Sequence, residues 1–251
     1  MKIVIIGSGN TATVLGRKIH ASGHAILQVM GRNKSATSEL AAELQCAATT
    51  DPGSIDRGAD LYIIAIADKA LPHVHEWLQL DKKMVVHTAA SVSKDVLRNV
   101  SKNFGVLYPL QTFRKEQKYI PEIPFLVDGN TPDDLALIQD FAESLSSRVL
   151  VADDATRLKM HVAAVFVNNF TNHLYVLAED FCRKEQMEFA LLLPLIGETA
   201  RRLEELSPQA SQTGPAMRND DQTIQRHLQV LSEYPALKNI YDQFTKSLMG
   251  Q

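Results

Sequence analysis

Short, unbroken aliphatic runs recur through the first part of the chain, and stretches with helical spacing separate several of them. The runs are Ile3-Val4-Ile5-Ile6, Ala25-Ile26-Leu27-Gln28-Val29-Met30, a weaker one at 45–48, and 60–67. Met84-Val85-Val86-His87, Gly105-Val106-Leu107-Tyr108, Phe125-Leu126-Val127-Asp128-Gly129 and Arg148-Val149-Leu150-Val151 follow. Runs that do not alternate with polar residues are strands buried on both faces. Helical spacing at 12–22, 35–44 and 132–145 completes the pattern of a parallel sheet covered by helices. Asp68 stands where it would cap a helix after the strand at 60–67.

After residue 153 no strand-like run remains. Asp153 or Asp154 can cap a long helix reaching about residue 184, and Val162, Phe166, Phe170, Leu174 and Leu177 recur along it every three or four positions. A second helical stretch, 187–206, is interrupted or started by Pro194. A polar loop at 207–217 and helices at 221–232 and 235–248 finish the chain. The change of pattern places a domain boundary near Ala152, giving an α/β domain over 1–152 and an all-helical one over 153–251.

Composition narrows the ligand. With 251 residues, 45% hydrophobic and 22% charged, the chain buries a full core. A net charge of -3 gives no case for nucleic acid, which calls for a basic face. Cys46 and Cys182 match no metal-ligand spacing and no disulfide framework, so reduced thiols and no metal are expected. The apolar stretch at the amino terminus is too short for a signal peptide, and no window approaches the roughly 18 apolar residues of a spanning helix. A soluble, cytoplasmic protein with a small-molecule ligand is the expectation, with no membrane and no nucleic acid as partner.

The clearest motif is Gly7-Ser8-Gly9-Asn10-Thr11-Ala12, set between the first strand and the first helix. Gly7 permits a tight turn, Gly9 lets the backbone approach a pyrophosphate, and Ala12 lets the helix pack closely on the sheet. The helix start then offers unpaired N–H groups and a positive dipole end. At the end of the second strand, Gly31-Arg32-Asn33-Lys34-Ser35 has no carboxylate for a ribose 2′-OH. Arg32 offers a planar cation to a 2′-phosphate, and Asn33, Lys34 and Ser35 add donors. NADP is therefore favoured over NAD.

Groups able to handle a proton or a substrate follow the later strands. His87 ends one run, as proton donor, substrate ligand or buried positioning residue. Tyr108-Pro109-Leu110-Gln111-Thr112 carries a phenol, an amide and a hydroxyl, with Gln111 and Thr112 as crevice donors. On the long helix, His161, Val165, Asn168 and Asn172 share a face by spacing, with Asn169 and His173 beside it. Beyond Thr213-Gly214-Pro215, Arg218 could bind an anion with Asp220 orienting it, unless Asp220 or Asp221 simply starts a helix.

At these residues the chain resembles a bacterial family with a Rossmann-like amino-terminal domain and an all-helical carboxy-terminal domain, described as NADP oxidoreductases. The glycine turn, Ile66-Ala67-Asp68, His87-Thr88-Ala89-Ala90-Ser91, the segment from Tyr108 to Phe113, His161-Val162-Ala163-Ala164 with Asn169, and Thr213-Gly214-Pro215 through Arg218 to His227 carry the resemblance. More distantly it is similar to 6-phosphogluconate dehydrogenase and pyrroline-5-carboxylate reductase. The resemblance implies a helical domain completing the cleft, often as a homodimer. It also implies cofactor contacts that include Ala67 and Asp68, catalysis by His161, Asn169 and His87, and substrate contacts from Gln111, Thr112 and Arg218. Hydride transfer between NADP(H) and a small carbonyl, imine or hydroxy acid is the implied reaction. The related hydroxyacid dehydrogenases use a helix lysine with an asparagine one turn later, whereas here Lys159 is followed by Ala163. The family also commonly has histidine and glycine where Tyr108 and Ala90 stand. A non-catalytic NADP-binding sensor or regulator, or a dimerisation module with a vestigial nucleotide site, are the other readings.

Overall fold

Each aliphatic run becomes a strand, because only a sheet with both faces covered hides such residues while pairing their backbone groups. The computed structural model describes residues 1–250. Its eight strands are β1 (Lys2–Ile6), β2 (Ala25–Met30), β3 (Ala47–Thr49), β4 (Leu61–Ile64), β5 (Asp81–His87), β6 (Ser101–Pro109), β7 (Phe125–Gly129) and β8 (Val149–Val151). They form one sheet in the order β3-β2-β1-β4-β5-β6-β7-β8. Pairing is parallel except between β6 and β7, so the expectation of a parallel sheet needs amending at this edge. No helix lies between β6 and β7 to carry a parallel crossover, and the chain returns in the opposite sense.

Side chains alternate between two cores. Ile3, Ile5, Val29, Ile63 and Val86 face one side, with the helices α1 (Asn10–Ala21), α2 (Lys34–Glu43) and α3 (Pro132–Leu145). Val4, Ile6, Met30, Tyr62, Ile64 and Val85 face the other, with Leu71, Val74 and Leu97 of short 3-10 segments. α1 starts at Asn10, two residues before its expected start, with Gly9 as its N-cap. Asp68 does not cap a helix: Ala67 takes that position, and Asp68 is the first residue of a 3-10 segment reaching Glu76.

Register lines up the strand ends. Met30, Ile6, Ile64, His87 and Val106 are successive neighbours across β2, β1, β4, β5 and β6. The turns after β1, β2, β4 and β5 therefore leave from one edge of the sheet. The chain winds outward from β1 in both directions, and such a switch point opens a crevice at the strands' carboxyl ends.

From Asp154 the chain is helical. α4 (Asp154–Ala164) runs into a π-helical segment, Val165–Phe170, and then α5 (Thr171–Lys184). The expected single helix is thus present with a wider turn inside it. Pro194 lies in the first turn of α6 (Leu193–Arg201), and α7 (Asp221–Val230) and α8 (Pro235–Leu248) follow. Contacts divide the chain into one compact unit over Met1–Asn169 and a second from Phe170 onward. The sheet ends at Val151, but α4 belongs to the first unit because Arg157 ties it there.

Candidate functional site

The glycine turn has the local form that an anion cradle requires. Gly7 has φ of +132°, and a Cβ there would lie 2.1 Å from the carbonyl oxygen of Ala65. No residue but glycine fits between β1 and β4. Gly9 differs: a Cβ on it would meet nothing within 4 Å, so its backbone borders open space. No side chain caps α1, which leaves the first-turn N–H groups of Asn10, Thr11 and Ala12 outside the helix's own hydrogen bonding. Ser8 and Asn10 flank that opening in sequence, and Ala12 is fully buried against the sheet. Arg32 is exposed and forms no hydrogen bond or ion pair among the described residues. Asn33 spends its side-chain oxygen capping α2 through Ala36 N–H (3.1 Å), and Ser35 donates to Glu39 (2.7 Å). An open, uncapped helix start with an unpaired guanidinium one strand away fits a phosphorylated dinucleotide. Of the 33–35 segment, the Asn33 oxygen and the Ser35 hydroxyl are already engaged.

At the end of β5, His87 is completely buried. Its Nδ1 accepts from Ala89 N–H (3.1 Å), which places the ring hydrogen on Nε2. Burial, and then the nearby Arg157 cation, push its pKa down to about 4. The imidazole is neutral at neutral pH and has no outlet to solvent, so this geometry suits holding the turn after β5 rather than donating a proton.

Arg157, on α4, is the largest fully buried side chain, at 1% exposure. Its Nε donates to Ala90 O (3.1 Å), and its Nη2 donates to Val92 O and to Asp154 Oδ1 (both 2.6 Å). The turn after β5 and the first turns of α4 are thereby locked together. One helical turn later, His161 Nδ1 shares a hydrogen bond of 2.9 Å with the Tyr108 hydroxyl at the end of β6. The rings meet edge to face at 6.0 Å. Burial raises the Tyr108 pKa; Arg157 opposes that shift and Asp68 adds to it. Asp68 itself accepts from Ser91 (3.0 Å), joining the turns after β4 and β5.

Thr112 accepts a hydrogen bond from Asn168 of the π segment, whereas Asn169 is exposed. Gln111 turns back on its own loop, donating to Glu122 O (3.1 Å) and accepting from Thr112 N–H (2.9 Å). Lys159 is exposed, with no hydrogen bond or ion pair among the described residues. Arg218 belongs to the second unit, in a 3-10 turn, and Asp220 caps α7 through Thr223 N–H (3.1 Å). The first unit thus forms the pairs Asp68–Ser91, Tyr108–His161 and Thr112–Asn168. Spacing alone did not single out Arg157, because a charge inside an amphipathic helix reads as part of its solvated face. The one hint is its place four residues, about one turn, before His161 on α4.

Residues 123–248 match a family described as "Domain of unknown function (DUF2520)", and residues 2–91 match "NADP oxidoreductase coenzyme F420-dependent". A solved structure from Bacteroides fragilis, provisionally described as an NADP oxidoreductase, is 37% identical. It covers 100% of this chain and 98% of its own, with a TM-score of 0.91. The chain belongs to this family. It joins a Rossmann-like amino-terminal domain of the NADP oxidoreductase type to a helical carboxy-terminal domain. A Thermotoga maritima protein (19% identity, 99% and 100% coverage, TM-score 0.80) shares the fold. So does pyrroline-5-carboxylate reductase from Streptococcus pyogenes (17%, 100% and 99%, TM-score 0.65). No curated protein matches the sequence.

Proposed function

We propose that this member of the family is an NADP-dependent oxidoreductase acting on a small carbonyl, imine or hydroxy acid, with Tyr108 and His161 handling the proton. The supporting observation is the 2.9 Å Tyr108–His161 pair at the carboxyl end of β6, on the same sheet edge as the glycine turn. Gly7, Gly9 and the first turn of α1 would hold the pyrophosphate, and Arg32 the 2′-phosphate. The cofactor's chemistry is giving and taking hydride; the protein has to place the substrate and move a proton. When His161 donates from Nδ1 to the phenol oxygen, the Tyr108 hydroxyl hydrogen is free to go to a carbonyl oxygen or imine nitrogen. His161 then restores it from Nδ1 as its Nε2 takes a proton from water. The raised pKa keeps the phenol protonated at neutral pH, the form an acid needs. Thr112 and Asn168 are the proposed substrate contacts within the first unit.

In the same reading, residues 1–152 hold the cofactor and supply Tyr108 and Thr112, and residues 153–251 supply His161, Asn168 and a homodimer contact in the cytoplasm. Exposed Leu158, Val162 and Val167 on one helical stretch, and Leu191, Leu193 and Leu195 on another, support a second copy as partner. Sedimentation as a monomer at micromolar concentration would remove that element.

The test is NADPH oxidation with a panel of cyclic imines, small keto acids and a deazaflavin. Tyr108→Phe and His161→Ala should each lower kcat by about 10²–10⁴ while leaving NADPH affinity unchanged. Turnover indifferent to both would end the site assignment. The exposed Lys159, with Ala163 where an asparagine would stand, supports a second reading as a non-catalytic NADP sensor. Tight NADPH binding without turnover on any substrate would favour it.

A further inference from the structure

Between β6 and β7 the chain has neither helix nor strand, yet it is pinned at several points. Phe113 and Ile123 are buried in the sheet's core. Arg17, on the second turn of α1, donates from Nη1 to the carbonyls of Lys115 (2.8 Å) and Gln117 (3.1 Å). Its Nε and Nη2 grip Glu43 of α2 at 2.5 and 3.1 Å. The N–H of Lys115 donates to Asn10 Oδ1 (3.3 Å), a residue of the glycine motif itself. One guanidinium therefore staples this loop to the two helices that begin beside the cofactor turn. The loop, the turn and those helices border an open pocket of about 230 Å³, with Ser8, Arg17, Glu39, Glu43, Lys115 and Glu116 on its walls.

The positive excess lies on the loop, not on the pocket wall, where Glu39, Glu43 and Glu116 stand with Arg17 and Lys115. Glu43 is neutralised by Arg17, and Glu39 is hydrogen-bonded by Ser35. In the segment 114–118, Arg114, Lys115 and Lys118 outweigh Glu116, and none of the three cations has an ion-pair partner among the described residues. A strand-to-strand loop needs no cation at the mouth of a phosphate cradle in order to fold.

We infer that the loop is a basic clasp over the cradle, with Lys115 a phosphate-binding residue of the dinucleotide site and Arg17 the residue that positions it. The inference rests on the cofactor reading above. It adds a ligand that the glycine motif and the 31–35 segment do not contain.

Fluorescence titrations of NADPH and NADH into wild type, Lys115→Gln and Arg17→Met test it. Lys115 is exposed, so Lys115→Gln should melt like wild type yet bind NADPH about tenfold more weakly, the usual effect of losing one charge-assisted contact. Weakening confined to NADPH assigns the contact to the 2′-phosphate; equal weakening of NADH assigns it to the pyrophosphate. Hydrogen exchange supplies a second readout. NADPH should slow amide exchange across 110–122 in wild type, and Arg17→Met should speed it there before cofactor is added. Wild-type affinity for both nucleotides in Lys115→Gln, or exchange at 110–122 indifferent to NADPH, would overturn the clasp alone. Failure of wild type to bind either nucleotide would instead overturn the cofactor reading beneath it.

Discussion

Arg157→Met isolates the tie between α4 and the turn after β5. Methionine keeps most of the apolar stem but removes three hydrogen bonds at once. Two of the acceptors are the carbonyls of Ala90 and Val92. Losing a charged donor from each is worth about 1.5–3 kcal/mol, or roughly 3–6 kcal/mol together. The third acceptor, Asp154, has a side chain 41% exposed and rehydrates, so it adds little. Against the loss stands a gain: Arg157 Nη1 is buried without a partner, and removing it returns about 1–3 kcal/mol. The difference, about 2–3 kcal/mol of destabilisation at the centre of these ranges, should appear as a lower urea midpoint at unchanged slope. NMR titration should also show the His87 pKa rising from its depressed value, since Arg157 is one of its causes. A variant within about 0.5 kcal/mol of wild type would refute this reasoning. It would mean that the orphaned nitrogen's penalty cancels the bonds and that α4 is held by something else.

Other outcomes follow from the same geometry. The fold holds His87 neutral with a pKa of about 4, whereas an unfolded imidazole titrates near 6.5, so the unfolded chain takes the proton first. Its contribution, on the order of 3 kcal/mol, is complete above about pH 6.5 and disappears as pH falls toward 4; His87→Gln should flatten the stability profile in that window, and an unchanged profile would count against the assignment. Gly9→Ala should fold with a loss of about 1 kcal/mol or less yet bind NADPH at least tenfold more weakly, because its Cβ enters the open space of the cradle. Gly7→Ala should instead fail at folding, its Cβ meeting the Ala65 carbonyl. Calorimetry and NADPH titration separate the two, and normal cofactor binding by Gly9→Ala would show that the phosphates lie elsewhere.

The eight strands were legible because β-branched and aliphatic runs have few other uses in a chain of this composition. Strand direction was not. A buried run looks the same whichever way it points, and the reversal at β7 is set by the linker after Pro109, which has no helix to carry a crossover. The glycine turn was readable residue by residue, since steric demands at Gly7 and Gly9 are local. The crevice was readable only in part. Spacing put His161 and Asn168 on one face, but the π segment at Val165–Phe170 breaks the 3.6-residue period on which such reasoning depends. Arg157 was hidden for a different reason: its partners Ala90 and Val92 lie 67 and 65 residues away, and nothing within its helix records them.

The most direct test of NADP-dependent oxidoreduction is transfer of deuterium from NADPH labelled at C4 of the nicotinamide. Wild-type protein, labelled cofactor and the imine and keto-acid panel are incubated together, and products are read by mass spectrometry. Catalysis at the Tyr108–His161 pair predicts a product one mass unit heavier, in an amount that falls by about a hundredfold or more in His161→Ala. Labelled NADPH that stays bound and intact with every substrate would contradict it.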